Sequence, residues 1–111
     1  MKPGAQAEKI ASQYLQTNGL RLLQTNFRCS FGEIDLILRD GETLIFTEVR
    51  RRSGGDFCGA AASIDARKQR RIILTAQHYL ASLPRIPPCR FDAVLLDGAN
   101  NIEWVKNAFE V

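Results

Sequence analysis

The sequence predicts a mixed α/β domain: a central mixed sheet of about five strands, flanked by helices. Three observations carry this reading. Apolar residues recur at helical spacing in two stretches, one near the N-terminus and one in the second half. Between them, two strand-like runs, Gly32-Glu33-Ile34-Asp35-Leu36-Ile37-Leu38 and Phe46-Thr47-Glu48-Val49-Arg50, lie either side of Asp40-Gly41. Strand pattern returns after a stiff loop holding Pro84, Pro87 and Pro88. A chain of 111 residues suits one compact domain, spanning 1–111.

The elements follow in order. In 5–18, Ala7, Ile10, Ala11, Tyr14 and Leu15 form a helical stripe that Gly19 stops. Residues 20–28 read as a strand with Leu20 and Leu22 inward and Phe27 as a further inward candidate. Strands at 32–39 and 42–51 form a hairpin that is largely apolar on both faces, so they belong in the middle of a sheet covered on both sides. The glycine-rich run 53–59 lacks the Gly-Lys-Ser/Thr ending of a phosphate loop and reads as a connection. A second helix is expected over 63–83, with Ile72, Ile73, Ala76, Tyr79, Leu80 and Leu83 on its apolar face. Residues 89–97 and 102–105 are the last two strands, with a turn at Gly98-Ala99-Asn100-Asn101.

The hairpin carries the chemistry. A strand buried on both faces should hold apolar residues at Asp35 and Glu48, because a buried carboxylate is costly unless paired or metal-bound. Asp-Gly between apolar runs is a strong hairpin signal. With Asp40 and Gly41 as a two-residue loop, Ile37 faces Leu44, Asp35 faces Phe46 and Glu33 faces Glu48. Side-chain alternation then puts Glu33, Asp35, Ile37, Leu44, Phe46, Glu48 and Arg50 on one face. Ile34, Leu36, Leu38, Ile45, Thr47 and Val49 take the other. Asp35 and Glu48 become diagonal neighbours, with backbone positions roughly 7–8 Å apart, and their carboxylates can converge on one ion. A one-residue change in loop length would separate them onto opposite faces.

Composition narrows the class. A hydrophobic fraction of 45% and a charged fraction of 24% are ordinary for a soluble globular protein. No apolar run approaches a membrane span, and the N-terminus lacks a signal-peptide core, so a cytoplasmic location is expected. Cys29, Cys58 and Cys89 form no CxxC pair, which supports neither zinc nor a disulfide framework; they read as reduced, partly buried thiols. His78, the one histidine, reads as a packed or surface side chain on the second helix. The net charge of +3 is unevenly spread. From 50 to 71 the cations Arg50, Arg51, Arg52, Arg67, Lys68, Arg70 and Arg71 face only Asp56 and Asp65, a net +5 that leaves −2 for the rest. Such a stretch suits nucleic acid, or it is a solvated charged face. Cations in the first turns of the second helix oppose its dipole, which favours a phosphate-binding role.

Each sharp reading has a plainer counterpart. Asp35 and Glu48 could form a structural network with Arg50 and Lys68. Glu8 borders the buried stripe of the first helix or faces solvent. Glu33 reads as a strand-end or structural acid toward the sheet rim. Arg90 and Asp92, two apart on one strand, read as a structural pair, and Tyr79 and Phe57 as core aromatics.

The residues resemble a known family. Gly32-Glu33-Ile34-Asp35-Leu36-Ile37 with Phe46-Thr47-Glu48-Val49-Arg50 resembles the signature of the bacterial YraN family. Glu8 with Ala11, Lys68-Gln69, Arg90-Phe91-Asp92 and Asn107-Ala108-Phe109 extend the match over nearly the whole chain. That family is similar to the restriction-endonuclease-like superfamily, with its D…(D/E)xK motif, including Holliday junction resolvases. The resemblance implies a restriction-endonuclease-like fold and a divalent-metal-dependent DNA endonuclease, acting on branched DNA. The alternative is a nucleic-acid-binding protein of the same fold with weak or no catalysis. By position, Asp35 and Glu48 match the two motif acids and Glu8 the acid of the first helix. Arg50 stands where the motif has lysine, a departure because arginine stays charged and is a poor general base. Lys68 is the substitute cation. The implied catalytic set is Asp35, Glu48, Arg50 and Lys68. Mg²⁺ or Mn²⁺ is expected on Asp35, Glu48 and Glu8, and DNA phosphates on Arg51, Arg52, Arg67, Arg70 and Arg71. A homodimer is implied by the same analogy.

Overall fold

A computed structural model describes residues 5–51, 64–98 and 101–110. Helix α1 (Ala5–Thr17) leads into strands β1 (Arg21–Cys29), β2 (Gly32–Asp40) and β3 (Thr43–Arg51). Helix α2 (Ala66–Leu80) precedes β4 (Cys89–Leu96) and β5 (Ile102–Phe109). The five strands make one sheet in the order β1-β2-β3-β4-β5. All neighbours are antiparallel except β3 and β4, which run parallel. A parallel pair cannot be joined by a tight turn, so the chain must cross over between them, and α2 lies on that crossover. The five-stranded mixed sheet with two helices is compatible with the restriction-endonuclease-like fold expected from the resemblance. No described helix is long and apolar enough to cross a membrane.

The central strands are buried because both faces are covered. Against α2 pack Ile37, Leu44, Phe46, Phe91, Ala93 and Leu95, meeting Ile72 and Ala76 of the helix. On the other face Leu36, Leu38, Ile45 and Val94 meet Ala11 and Leu15 of α1. Phe91 stacks between Phe46 and Phe109, at ring-centroid distances of 5.5 and 4.9 Å. Tyr79 meets Phe27 edge-on at 5.2 Å and is a core aromatic, as expected. His78 is exposed beside Phe27. Cys29 and Cys89 are free thiols, Cys89 exposed rather than partly buried. Phe57 and Cys58 lie outside the described residues.

Four sequence expectations are corrected. The hairpin loop is Gly41-Glu42, not Asp40-Gly41, because Asp40 pairs with Thr43 and Ile37 with Phe46. Gly41 has φ +60° while Glu42 is not left-handed, which fits the glycine-first two-residue turn. The slip is two residues, so every side chain on β3 keeps its face. Secondly, Ile34 joins Ile37 in the α2-side core, whereas Leu36 and Leu38 face α1. Strict alternation along β2 therefore breaks around Asp35. Thirdly, α2 is shorter than 63–83. Asp65 caps it, its side chain accepting the Lys68 N–H at 2.8 Å, and turns follow Leu80. Finally, β5 runs on to Phe109, past a register shift that places Asn107 at φ +54°.

That extension explains a buried acid. Asp92 is fully buried and its carboxylate accepts from Arg90 Nε and Nη2 at 2.8 and 2.9 Å, and from Trp104 Nε1 and the Asn107 N–H at 2.9 Å each. The expected Arg90–Asp92 pair is thus one half of a clamp that ties β4 to β5. Asp92→Ala strands these donors in the interior. The expected cost is about 3–5 kcal/mol, read as a lower denaturation midpoint in urea with an unchanged slope.

Candidate metal and phosphate site

The site forms where β2 and β3 part. Backbone pairing between them runs from Asp40–Thr43 to Leu36–Thr47. One residue further, the Asp35 side chain replaces a carbonyl partner, its Oδ2 accepting the Val49 N–H at 2.8 Å. The same register carried one step sets Asp35 opposite Glu48, closer than the diagonal placement expected from the sequence. Glu48 is 6% exposed. Its Oε1 lies 3.4 Å from Lys68 Nζ, and its Oε2 is buried without a hydrogen-bond partner among the described residues.

Two further acids close in on Asp35. Glu8 from α1, Glu33 from the start of β2 and Asp35 each place a carboxylate oxygen within 4.8 Å of the other two. Glu33 is therefore a member of the acid cluster rather than only a strand-end acid, although it also pairs with Arg28 at 3.2 Å. Glu8 is half-buried and turned into the cluster. Asn26 joins the two glutamates, its amide donating to Glu8 Oε1 at 2.9 Å and to Glu33 Oε1 at 2.8 Å. Asn26 has φ +52°, a left-handed conformation that asparagine tolerates better than most residues. No sequence expectation included Asn26. Its left-handed backbone leaves no spacing signal in the sequence.

Cations face the acids. A cavity of about 470 Å³ is lined by Gly32, Glu33, Asp35 and Glu48 on the sheet side and by Asp65, Arg67, Lys68, Arg71 and Ile72 on the α2 side. Of the expected phosphate-binding residues, Arg67 and Arg71 line it, while Arg70 is exposed on α2 and Arg51 exposed at the end of β3. Arg52 lies outside the described residues. Arg50 is half-buried, in register with Leu95, and is not among the described residues lining the cavity. Lys68, the substitute cation expected from the resemblance, is the lysine that meets Glu48.

Packing acids this closely has an electrostatic consequence. Burial, then the neighbouring Glu48 charge, then a hydrogen bond to Glu48 that requires a proton, push Asp35 up to about 7 from 3.8; the Val49 N–H opposes and Glu33 adds to the rise. When that proton is lost, Glu48 Oε2 is an orphaned buried oxygen next to a second carboxylate. A hard cation relieves both problems. The converging carboxylates of Glu8, Glu33 and Asp35, a group that does not include Glu48, could hold Mg²⁺ or Mn²⁺, which take carboxylate ligands together with water.

The comparisons agree with the signature residues. The uncharacterised protein family UPF0102 matches residues 7–96, and the chain belongs to this family, the YraN family of the resemblance. A UPF0102 protein of Nitrosomonas europaea is 56% identical over 109 residues, covering 96% of this chain and 92% of the relative. One from Nitrosospira multiformis is 54% identical over 110 residues, covering 97% and 92%. Another from Cupriavidus taiwanensis is 55% identical over 109 residues, covering 96% and 82%.

Asp35 makes stability depend on pH. In the unfolded chain its carboxyl titrates near 3.8, in the folded metal-free protein near 7. Between these values the folded state binds more protons, so the unfolding free energy falls as pH rises. The loss is complete above about pH 7 and amounts to at most about 4 kcal/mol. Asp35→Asn keeps an acceptor for Val49 and a donor for Glu48 without the charge. In EDTA at pH 8 the variant should melt higher than the wild type, and the two curves should converge by pH 4.

Proposed function

We propose that this chain is a divalent-metal-dependent endonuclease that hydrolyses phosphodiesters of DNA. The observation that carries the reading is Glu48: a buried carboxylate with one oxygen on Lys68 and the other without a hydrogen-bond donor among the described residues once Asp35 is ionised, facing a cavity edged by arginines. A purely structural carboxylate in this fold looks different, as the four donors on Asp92 demonstrate.

The residues divide the work. Asp35, clustered with Glu8 and Glu33, would hold Mg²⁺ or Mn²⁺ together with Glu48 opposite it. When bound, the cation supplies Lewis acidity toward a phosphoryl oxygen and lowers the pKa of a water. Asp35 keeps its ligand oxygen fixed through the Val49 N–H, so the site needs little rearrangement to act. Lys68 presents its ammonium from α2, against Glu48 and at the cavity, where it would stabilise charge developing on the phosphate. Arg67 and Arg71 would bind flanking phosphates, joined at the rim by Arg51 and Arg70. A homodimer would set two such sites against two strands.

A second reading rests on Arg50. Arginine in the motif's lysine position stays charged and cannot serve as base, which favours a DNA-binding protein of nuclease fold with little catalysis.

Calorimetry with Mn²⁺ and Mg²⁺ separates structure from chemistry at the first step. Wild type should bind, and Asp35→Ala and Glu48→Ala should lose at least tenfold in affinity; metal binding indifferent to Asp35 refutes the endonuclease reading. Branched, nicked and single-stranded DNAs are then offered with each metal. Cleavage that stops in EDTA and in Glu48→Ala supports the first reading. Cleavage that appears only in Arg50→Lys supports the second. For binding in Ca²⁺, removal of Arg67 or Arg71 should each reduce the slope of log affinity against log salt by about one.

A further inference from the structure

The turn between β1 and β2 is made by Ser30 and Phe31, since Cys29 pairs with Gly32. Two-residue turns favour glycine, asparagine, aspartate and serine. Phe31 is nonetheless at the tip, 46% exposed, one of few large apolar side chains on the described surface. The tip is fixed: the Phe31 N–H donates to Cys29 Sγ at 3.4 Å, and Gly32 follows at φ +155°, close under α2. Around the ring lies a shallow cavity of about 330 Å³ that it shares with Arg28, Gly32, Glu33 and Arg71. Gly32, Glu33 and Arg71 also line the acid cavity, so the two are adjacent. Phe31 lies in the turn just before β2, four residues ahead of Asp35, about 13 Å if that stretch is extended.

We propose that Phe31 is a stacking platform for an unpaired base, and that it directs the site toward DNA whose duplex is interrupted a few nucleotides from the bound phosphate. This rests on the reading of the acid cavity as a phosphodiester site and specifies its substrate class. Any base offers a π face to an exposed aromatic ring, but only a base outside the stack can use it. Arg28 and Arg71 flank the ring and supply charge for the phosphates either side of that base. A continuous duplex keeps its bases stacked and gains nothing from Phe31. A flap, a gap or a branch point presents a free base without the cost of unstacking one.

The test is binding in Ca²⁺ by fluorescence anisotropy, with three labelled probes: a continuous DNA duplex, the same duplex with a two-nucleotide gap, and the gapped duplex in RNA. Wild type should prefer gapped to continuous DNA. Phe31→Ala should weaken gapped binding by about 5- to 50-fold and leave the continuous duplex within twofold; Phe31→Trp should restore the preference. Melting curves should coincide, since the ring is exposed. Equal gap preference in wild type and Phe31→Ala overturns the inference while leaving the phosphodiester reading intact. So does an effect of Phe31→Ala on sedimentation alone, which would make the ring a contact between proteins. Gap preference in RNA but not in DNA overturns the DNA assignment. Absence of salt-dependent binding to any probe overturns the phosphodiester reading itself, and this inference with it.

Discussion

The structure is organised around one electrostatic constraint: two carboxylates held side by side where two strands separate. Asp35 occupies the point at which the β2–β3 ladder stops, and its side chain takes over the role of a backbone acceptor for Val49. Glu48 is held opposite by a strand buried on both faces. Both acids line the cavity, Glu48 almost wholly buried and Asp35 half-buried. Burial, and after it the charge of Glu48, push Asp35 up to about 7, and both follow from a sheet packed against two helices.

Asp92 and Glu48 make the point by contrast. Both are buried carboxylates on neighbouring parallel strands, and one position apart in register, since Thr47 pairs with Asp92. Asp92 is saturated by a bidentate arginine, an indole and a backbone N–H, which leaves nothing for a ligand to gain. Among the described residues, Glu48 meets Lys68 through one oxygen, and the other has no hydrogen-bond donor once Asp35 is ionised. An unsatisfied buried oxygen costs about 1–3 kcal/mol or more when charged. Burial alone does not distinguish the two residues; the accounting of donors does, and it separates the joint of the fold from the candidate reactive centre.

The sequence made the acids legible because strand parity survives a two-residue slip. Reading Asp40-Gly41 as the loop misplaced the register, yet Asp35 and Glu48 stayed on a common face, and the error only lengthened the distance between them. Where parity fails, so does the reading. Alternation puts Ile34 on the face of Leu36 and Leu38, and the break around Asp35 that moves it has no sequence mark. Its place in the ladder puts Glu33 at the sheet rim, yet its carboxylate joins the acid cluster, and Asn26 leaves no sequence signal because its role depends on a left-handed backbone beside a shifted register on β1. Lys68 is easier to place: three residues past the Asp65 cap, it meets Glu48 from the first turn of α2.

Arg50 and Lys68 together suggest how charge is partitioned here. A cation two residues beyond Glu48 on the same strand is tied to the sheet, and an arginine there is permanently charged. Lys68 reaches Glu48 from a different element, through a contact of 3.4 Å and with 38% of its side chain still exposed. A contact of that kind is easily exchanged for a phosphate oxygen, whereas a buried bidentate pair such as Arg90–Asp92 is not. The movable cation therefore sits on the helix that carries Arg67 and Arg71, and the fixed acids sit on the sheet. Bringing a polyanion into the cavity would draw Lys68 toward it and leave both oxygens of Glu48 in want of a cation. Phosphate binding and metal binding would then reinforce one another, each relieving the charge that the other exposes.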